Sequence, residues 1–129
     1  MLEPLHPELW RTRLKAIITS MAILPEAKDP ACLRRLYHLL VLTPMPLRQW
    51  FFPRLPEDMF ERLLLQSRQT AAFSLIGEAF DFALTADRHA EKAAITLRLD
   101  EVEVETRDSS VARATVRAIC EIGLRLSAP

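Results

Sequence analysis

Glycine is scarce in this sequence of 129 residues, which contains two glycines against nine prolines. Because glycine adopts positive φ angles at no steric cost, its scarcity leaves little room for tight primed hairpins or glycine-rich phosphate-binding loops. No serine lies in a Gly-x-Ser-x-Gly elbow either. These shortages favour a mainly helical protein and give no motif for a reaction.

Cysteine is equally scarce. The sequence contains only Cys32 and Cys120, which are too few for a disulfide framework. The opening stretch MLEPLHPELW has neither the basic nor the apolar region of a signal peptide. No run of about 18 apolar residues is present that could span a membrane. We therefore predict a soluble cytoplasmic protein with reduced thiols and no membrane association.

Net charge is also missing, since 17 basic residues balance 17 acidic ones. Sequence-independent binding to nucleic acids depends on neutralising phosphates, so a nucleic-acid partner is not expected. The three histidines, His6, His38 and His89, lack the spacing of metal ligands, and we predict neither metal nor cofactor. Residues 1–69 carry ten basic and seven acidic residues, and the remainder carries the reverse, an asymmetry that suits self-association.

The composition is that of one globular domain over residues 1–129, with half of the residues hydrophobic. Apolar residues recur at helical spacing from Pro7, and the pattern predicts a first helix over residues 7–23. A second helix is predicted from Asp29 as N-cap to Pro44, which stops it. The next helical pattern covers residues 57–86, as one helix or two.

Within that pattern, residues 73–84 admit two interpretations. Phe80, Phe82 and Leu84 alternate as in a strand, whereas the polar residues follow helical spacing. The polar spacing favours a nearly buried helix with a narrow polar stripe. Glu78 and Asp81 lie on this stripe, and we predict that arginines of the first two helices pair with them.

A change of period to two marks the stretch AAITLRLDEVEVETRD. Strict alternation with β-branched residues predicts a β-hairpin over residues 94–107, with Asp100 and Glu101 at a turn or bulge. A last helix should follow, capped by Asp108, Ser109 or Ser110. The predicted fold is α+β and mainly α, with four or five helices, a C-terminal β-hairpin and a last helix. An all-α bundle is the alternative if residues 94–107 are helical.

The densest aromatic cluster is in MPLRQWFFPRLP, residues 45–56, where three aromatics stand together between prolines. Consecutive residues of a helical turn point about 100° apart, so the three rings cannot face one side. The segment therefore either closes the core or presents a surface to a partner, since aromatics and arginine are enriched in interface cores. The predicted interaction residues are Leu47, Arg48, Trp50, Phe51, Phe52 and Arg54.

These patterns predict a non-enzymatic protein-interaction module, a self-associating adaptor, regulator or chaperone-like subunit. Its homo-oligomer contact is expected at or near residues 47–52, and a further protein partner is possible. The alternative is a small-ligand-binding or enzyme-like domain, with a pocket between residues 47–52 and the 73–84 helix and Glu78 or Asp81 at its floor. A closed apolar cavity that reaches these carboxylates would favour the alternative.

Overall fold

The computed structural model describes residues 3–87 and 92–128, so His89 lies outside the described residues. Among these residues there are six α-helices and three strands. They are α1 (Pro7–Ile23), α2 (Asp29–Val41), α3 (Arg48–Phe51), α4 (Glu57–Gln66), α5 (Arg68–Ser74), β1 (Asp81–Asp87), β2 (Lys92–Leu99), β3 (Val102–Asp108) and α6 (Val111–Leu126). The mainly α, α+β class and the hairpin before the last helix are confirmed, and the all-α alternative is wrong.

The first two helices form where their patterns predict them. The ring of His6 accepts a hydrogen bond from the N–H of Glu8 and so caps α1. The buried stripe of α1 consists of Trp10, Leu14, Ile17 and Met21. In α2, Asp29 is the first helical residue and not the N-cap, because its carboxylate turns inward to a buried arginine.

The predicted helix over residues 73–84 is wrong. After α4, Ser67 caps a separate helix α5, which ends at Ser74. The chain then turns at Gly77, where a Cβ atom would clash with the carbonyl oxygen of Trp50. Beyond this turn the period-two pattern decides the structure, and β1 begins at Asp81.

The three strands form an antiparallel sheet in the order β1-β2-β3. Leu97 of β2 lies opposite Phe82 on one side and Val104 on the other. Asp100 and Glu101 form the two-residue turn between β2 and β3, and Asp100 has a φ of 54°. Aspartate tolerates this left-handed conformation better than most residues, so of the two predicted options the turn is correct.

Helix α6 covers one face of β2 and β3 and also packs against α1. The hydroxyl of Ser110 caps it by accepting a hydrogen bond from the N–H of Arg113. At Gly123 a Cβ atom would lie 3.1 Å from a methyl of Leu14 and 3.2 Å from the Trp10 ring. This glycine therefore permits the close approach of α1 and α6.

A buried ion pair joins the beginnings of α2 and α6. The Nε of Arg113 donates to Asp29 at 2.9 Å, and its two terminal nitrogens donate to the carbonyls of Met21 and Leu24 at 3.0 and 2.6 Å. Burial raises the pKa of the Asp29 carboxyl, and Arg113 opposes this shift. Because the guanidinium already donates to Asp29 and to two main-chain carbonyls, we assign the pair a structural role.

Candidate functional site

The aromatic segment lies partly in the core. Leu47 and Phe51 are buried, and Phe51 is only 3% exposed. The ring of Phe51 packs edge-on against the ring of Trp10, with 5.6 Å between the ring centres. The centre of the Phe51 ring lies 5.3 Å from that of Phe80. Trp50 is half-buried and packs against the same core. Three of the six predicted interaction residues, Leu47, Trp50 and Phe51, thus pack into or against the core.

Phe52 is the aromatic of this segment that faces solvent, with 44% of its surface exposed. The guanidinium of Arg48 lies 4.5 Å from the centre of its ring, a cation–π contact, and also donates to the carbonyl of Val41. Met45 and Gln49 complete an open depression of about 320 Å³. This depression is a small exposed patch beside the core.

Glu78 and Asp81 both lie exposed on the surface. Arg54 donates to Glu78 at 3.0 Å and to the carbonyl of Ile76, whereas Asp81 lies 3.5 Å from Arg98 of β2. The predicted pairing with arginines of the first two helices is wrong, because the buried helix that would carry these carboxylates is a turn and an edge strand.

The space between the aromatic segment and residues 75–80 is filled. It is lined by apolar residues that include Phe51, Ile76, Phe80, Leu97 and Ile119, and it has no volume that a water molecule could enter. Neither Glu78 nor Asp81 lines it. Among the described residues, no closed cavity therefore lies between the aromatic segment and residues 75–80, where the ligand-binding alternative needs one.

Both cysteines are free and buried. Burial raises the pKa of the Cys32 thiol and of the Cys120 thiol. Since the thiolate is the reactive form, these side chains are poor nucleophiles in the folded protein. Within the described ranges, no three His, Cys, Asp or Glu residues lie together as a metal site, and no helix is long and apolar enough to cross a membrane.

A groove between α1 and α2, about 190 Å³ in volume, is lined by both basic and apolar side chains. Arg13, Arg35 and His38 are its basic lining residues. Arg35 donates to the hydroxyl of Ser20 at 3.2 Å, and His38 lies 3.0 Å from Glu57. Side chains of the protein therefore already engage part of this basic surface.

The outer edge of β1 is the feature that the sequence did not reveal. β2 pairs with one edge of β1, and among the described residues no strand pairs with the other. Phe82 and Leu84 lie opposite the buried Leu97 and Ile95, yet they are 53% and 39% exposed. Helix α6 covers this face at β2 and β3 but leaves the β1 part open. The ring of Phe73 at 5.7 Å gives Phe82 partial cover.

Over residues 81–87, this edge has few of the devices by which proteins protect exposed strands. The sequence of β1, DFALTAD, has no lysine and no proline, and its seven residue pairs with β2 run without a bulge. Its only charges are aspartates at the two ends. An exposed, regular, apolar edge strand is a template for pairing with another strand.

The solvent face of the sheet forms a shallow trough of about 350 Å³ beside this edge. Small side chains line its floor, among them Ala83, Thr85, Ala94 and Thr96. Lys92, Glu105 and Arg107 also line it. A strand added to β1 would extend this trough.

A comparison of the chain with protein-family models, curated proteins and solved structures finds no match. Its function must therefore be inferred from its own surfaces.

Proposed function

We propose that this protein is a non-enzymatic protein-interaction module that docks its partner by adding a strand to the outer edge of β1. The observation that carries the proposal is an unpaired edge strand with Phe82 and Leu84 exposed on the face that α6 covers elsewhere. Such a module acts as an adaptor, regulator or chaperone-like subunit, and we place it in the reducing cytoplasm.

Strand addition supplies affinity through the backbone and specificity through alternate side chains. Each main-chain hydrogen bond contributes about 0.5–1.5 kcal/mol net. Full burial of a phenylalanine or leucine contributes about 1.5–3 kcal/mol, and Phe82 and Leu84 have roughly half of that still to gain. These gains oppose the loss of translational and rotational freedom on association.

The aromatic segment supports β1 from within the fold. Phe51 packs on Phe80, the residue before β1, and the carbonyl of Trp50 lies against Gly77. Arg54 holds the same turn through Glu78. We therefore assign Trp50 and Phe51 to positioning the strand from within the fold.

We expect Leu84→Lys to weaken partner binding strongly while the chain remains folded. A charge at this position would be buried by an added strand, whereas in the free protein the long side chain can reach water. The matched control is Leu65→Lys on α4, at a leucine that is 83% exposed. Tagged versions of the three proteins are incubated with extract and with untagged chain, and the retained proteins are quantified by mass spectrometry.

Wild type and Leu65→Lys should retain the same partner, and Leu84→Lys should lose at least about tenfold, a change of about 1.4 kcal/mol. Circular dichroism checks that all three are folded. Equal retention by the three proteins, or the absence of any retained protein, would contradict the proposal.

A further inference from the structure

We infer that the strand added to β1 is β1 of a second copy of this chain. The two strands pair antiparallel about a two-fold axis that passes between Ala83 of one copy and Ala83 of the other. The two three-stranded sheets then join into one of six strands. This inference rests on the proposed function and names the partner of the same edge. It also fits the chain's zero net charge, which leaves no long-range repulsion between copies.

The faces of the sheet limit the possible registers. A two-fold axis perpendicular to the sheet leaves both α6 helices on the same side, so even-numbered residues of β1 must lie opposite even-numbered residues. With the axis at Ala83, Phe82 of each copy lies opposite Leu84 of the other. The two exposed apolar residues of each edge then cover one another.

Charge selects between the neighbouring registers. An axis at Leu84 would set Asp81 opposite Asp87, and like charges directly opposite each other are destabilising. An axis at Phe82 would shorten the overlap, because β1 begins at Asp81. With the axis at Ala83, Asp81 lies opposite Thr85 and can keep its partner Arg98 on β2.

The helix side of the joined sheet gains an apolar cluster in the gap that each α6 leaves open. Phe82 and Leu84 of both copies form its centre, and each Phe73 flanks it because its ring already lies 5.7 Å from that of Phe82. On the other side, the troughs lined by Ala83 and Thr85 meet at the axis. The same strand thus completes both faces.

Single cysteines on β1 test this register. In an antiparallel pair, Cα atoms of directly opposed residues lie about 4.5–5.5 Å apart, and a disulfide spans this distance. We expect Ala83→Cys to form a covalent dimer under mild oxidation, because the new cysteine of one chain lies directly opposite the new cysteine of the other. The native Cys32 and Cys120 are buried and do not compete.

The matched control is Thr85→Cys, two residues along the same exposed face. In the inferred register Thr85 lies opposite Asp81, so two cysteines at position 85 would be displaced by about 13 Å along the strands. Disulfide formation is followed on non-reducing gels and by intact mass. Sedimentation of the unsubstituted chain over a range of concentrations gives its mass in solution.

The inference predicts a dimer mass, rapid cross-linking of Ala83→Cys, and cross-linking of Thr85→Cys slower by at least about tenfold. A monomer at every concentration, or cross-linking of Thr85→Cys in preference to Ala83→Cys, overturns it. If the chain is a monomer but Leu84→Lys still loses a different protein, the second copy is wrong as the partner while strand addition to β1 stands. If Leu84→Lys also changes nothing, both proposals fail.

Discussion

Replacement of Arg113 by methionine is expected to lower the free energy of unfolding by about 3–5 kcal/mol, because it leaves Asp29 buried without its ion-pair partner. The carbonyls of Met21 and Leu24 lose their donors in the same variant. Denaturant unfolding monitored by circular dichroism measures the change. Arg117→Met, on the same helix but with a partly exposed arginine, is the control and should cost about 1 kcal/mol or less.

The loss should depend on pH in a defined direction. Burial raises the pKa of Asp29 in the folded state, and removal of Arg113 takes away the main group that opposes this shift. A folded-state pKa above the unfolded value adds stability at low pH, which is lost as the pH rises through the folded-state pKa. The free energy of unfolding of Arg113→Met should therefore be closer to that of wild type at pH 4 than at pH 7. A loss that is the same at both values, or no larger than that of Arg117→Met, would contradict the buried ion pair.

Phe51→Ala and Phe52→Ala should differ sharply although the residues are adjacent. Phe51 contacts Trp10 and Phe80 in the core, so its truncation should cost about 3–5 kcal/mol. Phe52 is 44% exposed, and its truncation should cost no more than about 1 kcal/mol. Equal losses in thermal or denaturant unfolding would refute the assignment of these two rings. So would a Phe51→Ala variant that keeps its stability and loses only self-association.

Local patterns predicted the elements whose ends carry their own signals. Helix α1 begins at Pro7 and ends at Ile23 as its apolar stripe indicates, and α6 follows one of the three caps proposed for it. The β2–β3 hairpin follows from strict alternation, although its turn contains no glycine. In each case the local preference agrees with the tertiary environment.

The segment 73–84 shows where such patterns fail. Ser74, Glu78, Asp81 and Thr85 have helical spacing, and the helical interpretation gave this spacing more weight than the alternation of Phe80, Phe82 and Leu84. The chain turns at Gly77 instead of continuing as a helix, and there its backbone approaches the carbonyl of Trp50 too closely for a side chain. That contact joins residues far apart in the chain, so no local window contains it.

The candidate site could not be predicted from the sequence for a related reason. A correct period for residues 80–84 would have placed a strand there, but the position of β1 at the edge of the sheet depends on what packs beside it. The exposure of Leu84 likewise depends on where α6 lies. The aromatic segment was predicted as either core or interface; Leu47 and Phe51 lie in the core, and the interface interpretation stays a prediction.

Hydrogen exchange of the backbone amides, resolved by NMR at dilute and concentrated protein, tests the pairing of β1 most directly. Residues 81–87 should include amides that face away from β2 and exchange at least about tenfold more slowly at high concentration, because an added strand shields them. Amides of residues 45–52 should be unaffected, and the concentration dependence should vanish in Leu84→Lys. Pairing at this edge would be contradicted if the exchange rates in β1 did not depend on protein concentration. Concentration-dependent protection confined to the amides of residues 45–52 would contradict it as well.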